Sequence, residues 1–195
     1  MKTRISLFLL SSVLVGSAAS KAEPSAQMPL VNFTSLASSG FWSPLTDQVR
    51  GGQSTAFMQI LPDQTAQISG SLSLIDNAGF ASFRVARADH QAWDLKGAKS
   101  LTVEAAGDGR VYKMLLKDMA AEKSTRDYSW EASIKPDAAL QPFVIPLSTF
   151  KPVFRGREIN DVPPLNKNEI RQMGIQLNDH NAGPYMVRLK SIGAE

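Results

Sequence analysis

Carboxylates and arginines in this chain are concentrated beside glycines, in segments with neither a helical nor a strand period. Four such glycine-containing polar segments lie at residues 47–54, 76–80, 107–110 and 154–157. A carboxylate can accept hydrogen bonds from the amides of a tight turn, and an arginine fork can pair with a carboxylate or hold a polar ligand. The segments therefore indicate either loops that are locked together from within or a loop surface that binds a ligand.

The candidates for ligand or partner binding come from these segments and their neighbours. They are Trp42, Asp47, Arg84, Arg110, Arg155 and Asp179. We favour pairing of the arginines with nearby carboxylates over a ligand clamp, and we expect Asp47 and Gly52 to matter more for folding than for binding. Trp42 and Trp93 could stack on a sugar, although we favour packing against the rest of the fold for both of them.

Signatures of catalysis are absent, so the sequence predicts no enzyme, no cofactor and no metal. The chain has no cysteine, and its two histidines, His90 and His180, lie in no metalloprotease spacing. Ser54 follows Gly-Gly-Gln without the closing glycine of a nucleophile elbow, and residues 107–109 lack the third glycine of a dinucleotide fingerprint. Two alternatives stay open: Asp179 with His180 as a general base or metal ligand, and loop carboxylates as calcium ligands.

The first 22 residues have the pattern of a cleavable secretory signal. Lys2 and Arg4 precede an apolar run from residue 5 to residue 15, which is too short to span a bilayer. Small residues follow, and they favour cleavage after Ala22, with Ala19 as the alternative. We therefore expect a periplasmic or secreted protein with no membrane insertion.

The remaining 173 residues suit one domain, which we place at 33–195 after a flexible leader at 23–32. Three of the 21 basic side chains lie in the signal, so 18 basic and 18 acidic side chains remain. A formally neutral protein gives no support for binding to nucleic acid. We expect a monomer whose partner is a protein of the cell envelope or a glycan.

Alternation of apolar and polar residues predicts about eight short strands and little helix. The clearest strands lie at 68–74, 101–105, 130–134, 173–177 and 185–189. Glycine-rich turns at 76–79 and 107–109 predict two hairpins, which end in strands at 80–86 and 111–117. Residues 114–123 also have some helical propensity, and residues 166–169 resemble a capping box. This pattern indicates an all-β, antiparallel sandwich or jelly roll.

These segments, in this order, resemble the complex I intermediate-associated protein 30 family. The resemblance covers roughly residues 41–192 and combines several short motifs. They are Trp42, residues 47–54, 70–72 with 77–84, 107–112, 145–150, 154–157, 170–175, Asp179 and 183–185. The chain departs from the family pattern at Arg50, Ala78 and Leu147.

The resemblance implies a galactose-binding-like jelly roll. It also implies an assembly or chaperone-like role, since the best-known members of the family help to assemble mitochondrial respiratory complex I. The galactose-binding-like fold by itself implies an alternative, a carbohydrate-binding module of the cell envelope.

Overall fold

The computed structural model describes residues 28–34, 40–75 and 79–195, and it consists of two antiparallel sheets packed face to face. The predicted signal, most of the predicted leader and residues 76–78 lie outside the described residues. The first sheet has six strands in the order β3-β4-β13-β6-β9, with β1 paired to β13. Its strands are β1 (Met28–Asn32), β3 (Thr55–Ile60), β4 (Ala66–Leu72), β6 (Ser100–Gly107), β9 (Gln141–Pro146) and β13 (Gly183–Ala194).

The second sheet has seven strands in the order β11-β10-β8-β7-β12-β5-β2. These are β2 (Phe41–Thr46), β5 (Ala81–Ala86), β7 (Tyr112–Asp118), β8 (Ser129–Ile134), β10 (Lys151–Phe154), β11 (Arg157–Glu158) and β12 (Ile170–Leu177). A short helix α1 (Met119–Lys123) follows β7, and 3-10 turns lie at Asp47–Arg50, Leu147–Thr149 and Lys167–Glu169.

The hydrophobic core lies between the two sheets because the inward positions of both carry apolar side chains. Met173, Ile175 and Leu177 of β12 point inward, and so do Val187 and Leu189 of β13, all at most 2% exposed. Successive side chains of a strand point to opposite faces, so the residues between them lie outside the sandwich. The predicted all-β, antiparallel sandwich is confirmed.

The two predicted hairpins are wrong. The strand after residues 76–79 does not pair with β4 but crosses to the other sheet, where β5 pairs with β2 and β12. Likewise β6 and β7 lie in different sheets. Glycine in a turn indicates the local backbone conformation and not which strands pair. The 107–109 turn is hydrogen-bonded to the 136–137 loop, where Gly107 N donates to Asp137 O at 2.6 Å.

Three further segments differ from the sequence prediction. Residues 28–32, placed in the flexible leader, form β1, which pairs with the part of β13 that extends beyond β4 and buries Val31. Strands β2 and β3 arise from segments without a clear period. Residues 112–118 are strand and only Met119–Lys123 is helical, so each alternative held for part of the segment. No helix among the described residues is long and apolar enough to cross a bilayer.

Candidate functional site

Asp47 is a buried structural carboxylate that joins two loops. It is 1% exposed, and it accepts hydrogen bonds from Ser54 N at 2.9 Å, Ser54 Oγ at 2.5 Å and Gly79 N at 2.9 Å. Gly52 leaves room for this carboxylate, since a Cβ there would lie 2.4 Å from the Asp47 Cγ. The positive φ of 86° belongs to Gly51. The contacts support the predicted structural importance of Asp47 and Gly52, and a binding role for Asp47 stays a prediction.

Arg110 locks the 107–110 turn to the loop before β13. Its Nε and Nη2 donate to the two carboxylate oxygens of Asp179 at 3.0 and 2.7 Å, and its Nη1 donates to Pro184 O at 3.0 Å. Both side chains are largely buried, at 10% and 16% exposure. Burial by itself would raise the pKa of Asp179, but the hydrogen bonds from Arg110 and from the Asn181 amide, together with the charge of Arg110, outweigh it and lower the pKa below its usual range.

The other two candidate arginines do not lock loops, so the pairing prediction is wrong for them. Arg155 is exposed, and its guanidinium lies 5.1 Å from the ring centre of Phe154. Arg84 forms no ion pair with a described residue, and its buried Nε has no hydrogen-bond partner. These two positions carry no carboxylate close enough to pair with, whereas Asp179 lies beside Arg110.

Arg84 lies on the surface that we call the outer face, meaning the side of the seven-stranded sheet that points away from the core. Cross-strand partners share a face, so the register places one row across it. The row runs through Ser43, Arg84, Gly174, Leu115, Glu131 and Lys151. A parallel row runs through Leu45, Ser82, Gln176, Lys113 and Ser133.

Polar side chains at the centre of the outer face are shielded from solvent. Lys117 is 7% exposed and its Nζ donates to the Asp127 carboxylate, while Gln176 is 9% exposed. Lys113 Nζ donates to Ser133 Oγ at 2.7 Å. Polar groups held in place in this way are suited to orient a polar ligand.

The unpaired Arg84 faces Glu131 across β12 and β7. Burial lowers the pKa of Arg84, and the charges of Asp127 and Glu131 act against that shift. Burial also raises the pKa of Glu131, although Lys113 and Arg84 act against it. The outer face thus holds two charged groups that have lost hydration without gaining a direct partner.

Phe41, not Trp42, carries the exposed aromatic ring of β2. Trp42 pairs with the buried Val85 and packs against the core, with its ring centre 5.8 Å from that of Phe33. Phe41 is 60% exposed and stacks on His90 at 6.0 Å, at the rim of the outer face. Trp93 is 4% exposed, so it packs in the core, as the sequence interpretation favoured, and cannot stack on a sugar.

Sequence reasoning missed the outer-face residues because it concentrated on glycine-rich loops. The signal was present in the polar positions that alternate with the apolar ones, such as Lys113 and Glu131. Among the described residues, no group of three or more histidines, cysteines, aspartates or glutamates could hold a metal ion. His180, at a φ of 56°, is exposed in the loop before β13.

Comparison with known families shows which family the chain belongs to. Residues 31–189 match the family model described as Complex I intermediate-associated protein 30. The chain belongs to this family. A curated relative, "Uncharacterized protein C9E9.15" of Schizosaccharomyces pombe, is 29% identical over 164 residues, which cover 76% of this chain and 74% of that protein.

Solved structures with a similar fold include carbohydrate-binding modules. The family 11 module of the cellulosomal cellulase Lic26A-Cel5E of Clostridium thermocellum has a TM-score of 0.62 at 13% identity, over 88% of this chain and 95% of that one. A second structure of a family 11 module from that organism, in complex with a β-1,3-1,4-mixed-linked tetrasaccharide, has a TM-score of 0.61 at 14% identity, over 86% and 94%. At these identities the likeness establishes the fold, which is galactose-binding-like.

Proposed function

We propose that this member of the family is an exported, non-enzymatic binding protein, and that the outer face of its seven-stranded sheet binds an oligosaccharide. The observation that carries the proposal is the solvent-shielded polar centre of this face, bordered by the exposed ring of Phe41. Sugars are recognised by hydrogen bonds to their hydroxyls and by an aromatic ring against their C–H faces. Gln176, Ser133 and Phe41 supply these two kinds of contact.

The loop chemistry supports a binding role over a catalytic one. Asp47 and Asp179 are the buried loop carboxylates with the most hydrogen bonds, and internal donors engage both of them. An acid or base committed to such contacts is poorly placed to exchange protons with a substrate. The carbohydrate-binding modules with a similar fold, one of them in complex with a tetrasaccharide, add support for the class of ligand.

The test replaces an aromatic ring on each outer surface of the sandwich. Phe41→Ala removes the ring at the proposed site, and Phe57→Ala removes a ring of similar exposure, 66%, on the outside of the six-stranded sheet. We expect Phe41→Ala to weaken binding of oligosaccharides by about tenfold or more, as loss of a stacked ring does, and Phe57→Ala to leave it unchanged. Equal binding by wild type and Phe41→Ala in calorimetry would contradict the proposed site.

A second candidate function, that of an assembly or chaperone-like factor for an envelope protein, is favoured by the edge strand β3. This strand contains no charge and no proline, and it exposes Phe57 at 66% and Ile60 at 48%. Such an edge can pair with an extended segment of another protein. The family description points to the same class of function.

The same two variants separate the candidates. If a protein partner binds along β3, Phe57→Ala will lose that partner in a pull-down from the envelope fraction, while Phe41→Ala will retain it. If the ligand is an oligosaccharide on the outer face, Phe41→Ala will lose oligosaccharide binding and Phe57→Ala will retain it. Loss of both activities in both variants, with unfolding detected by circular dichroism, would instead assign the effect to stability.

A further inference from the structure

We propose that the outer face selects an anionic oligosaccharide, one that carries a uronic-acid carboxylate, and that Arg84 binds this carboxylate. This inference rests on the proposed function, because it assumes that an oligosaccharide occupies the outer face. It assigns the class of ligand from the side chains of this chain.

The first observation is that Arg84 forms no hydrogen bond or ion pair with another residue in the described part of the chain. Its Nε is buried without a hydrogen-bond acceptor, and no ion pair joins its guanidinium to another described residue. A buried donor without an acceptor is unfavourable, so such groups are normally satisfied by the protein, by water or by a ligand. Arg110, by contrast, uses its whole fork on Asp179 and the backbone of the next loop.

The second observation is that the two residues between Arg84 and Glu131 in this row have no side chain that could accept a hydrogen bond from Arg84. Gly174 and Leu115 occupy these positions on β12 and β7. A Cβ at position 174 would lie 3.3 Å from the Arg84 Cγ and 2.5 Å from Phe83 O, so glycine leaves space for the arginine stem. At the usual strand spacing, the backbones of Arg84 and Glu131 lie about 14 Å apart. The fork therefore borders an apolar strip, in which Leu115 is 3% exposed and Gly174 is buried.

The third observation is the balance of charge around that strip. The four central strands carry Arg84, Lys113 and Lys117 on the outer face against the single carboxylate of Glu131. Asp127, at the rim, is paired with Lys117, and Lys113 donates a hydrogen bond to the neutral Ser133. These four strands have an excess of positive charge on the outer face, and among their described cations there, Arg84 is the one without a hydrogen-bonded partner.

The chemistry of the fork then selects the ligand. A guanidinium donates two parallel hydrogen bonds to a planar carboxylate, and such charge-assisted bonds are short and strong where solvent is excluded. No tryptophan or tyrosine ring among the described residues is exposed on this face, so ring stacking is limited to Phe41 at the rim. Affinity therefore depends on charge more than it does in a face that is covered with aromatic rings.

The experiment measures binding of two ligands to the mature full-length protein. They are tetragalacturonic acid and its fully methyl-esterified form, which has the same sugar chain but an uncharged methyl ester in place of each carboxylate. We expect the acid to bind at least about tenfold more tightly than the ester at pH 7. We expect Arg84→Gln to abolish this preference. Arg84→Lys keeps the charge but loses the fork, and we expect it to retain only part of the preference. Arg188→Gln, a partly exposed arginine on the outside of the six-stranded sheet, is the matched control and should change nothing.

A direct readout avoids dependence on the folding of the variants. The Arg84 Nε–H signal of the wild-type protein, assigned by NMR, should shift on titration with the acid and should not shift with the ester. Equal binding of acid and ester, or an unchanged preference in Arg84→Gln, would overturn the inference and leave the proposed function standing. If neither of these ligands binds, and a neutral mixed-linkage tetrasaccharide does not bind either, then both this inference and the proposed function are contradicted.

Discussion

The carboxylate of Asp47 occupies the space in which a side chain at Gly52 would have to lie: a Cβ at position 52 would stand 2.4 Å from both Cγ and Oδ1 of Asp47. Gly52→Ala should therefore displace the carboxylate from its hydrogen bonds to Ser54 and Gly79. We expect the free energy of unfolding to fall by about 1–3 kcal/mol, measured by urea denaturation. Gly97→Ala is the control, since nothing lies within 4 Å of a Cβ there. Equal stability of Gly52→Ala and wild type would show that Asp47 can move without loss.

Arg110→Lys should destabilise the protein because an ammonium cannot replace the fork that holds both oxygens of Asp179. We expect a loss of about 1–3 kcal/mol at pH 7 by urea denaturation. The control is Arg188→Lys, whose partner Asp63 lies 3.6 Å away on the surface, and it should change stability by less than about 0.5 kcal/mol. A loss of equal size in the two variants would argue against a special role for the buried pair.

The Arg110–Asp179 pair should also make the protein acid-sensitive. The pKa of Asp179 is lowered in the folded protein, so the folded state binds fewer protons at this site than the unfolded state does. The stabilisation is present above the unfolded pKa and is lost as pH falls through the folded value. Asp179→Asn should therefore cost stability at pH 7 and progressively less as the pH approaches 2. A cost that is independent of pH would contradict the assignment.

Glu131→Gln should have the opposite pH dependence. Burial raises the pKa of Glu131, so the folded state keeps this proton at pH values where the unfolded state has released it. The wild type therefore loses stability as pH rises above the unfolded pKa, near 4.5, and through the folded value. We expect Glu131→Gln to gain on the order of 1 kcal/mol over wild type at pH 7 and nothing at pH 3. Glu158→Gln, on the exposed β11, is the control, and destabilisation by Glu131→Gln at pH 7 would contradict the prediction.

Export predicts a mature protein that begins at Glu23. N-terminal sequencing of protein from the periplasm or the medium should find this end, or Ser20 if cleavage follows Ala19. Ala22→Leu should slow processing because a small residue is needed before the cut, and Ala26→Leu, beyond the site, should not. Intact Met1 on cytosolic protein would contradict export.

The sequence predicted the strands that bury one face and missed those that do not. Strands β4 and β13 each bury one face while the other is more exposed, so their apolar residues alternate. In β12 both faces are buried between Met173 and Leu177, but its apolar residues still alternate with Gly174 and Gln176. In β2, Pro44 interrupts the pattern, and β3 is an edge strand whose residues are mostly exposed or half-buried. Period-2 alternation reports one-sided burial, which both strands largely lack.

The sequence allowed contacts of the candidate site to be predicted only where the residues involved are close together in the chain. Asp47 and Gly52 lie five residues apart, and their types already indicated a capped turn. The pair of Arg110 and Asp179 could be expected as a type of contact, but several carboxylates were available in glycine-rich loops. The isolation of Arg84 depends on Gly174 and Leu115, which only the sheet order brings beside it. Register across strands that are distant in the sequence is not encoded in local pattern.

The sheet order has a consequence for the timing of folding. Among the described strands, β12 and β13 are the last two in the sequence, yet β12 lies between β5 and β7, and β13 between β4 and β6. A nascent chain still attached to the ribosome would carry the flanking strands without the strand that joins them, so neither sheet could close during most of translation. Such a polypeptide would stay unfolded until its synthesis is nearly finished. That delay suits a precursor which must be threaded through a narrow translocation channel before it folds.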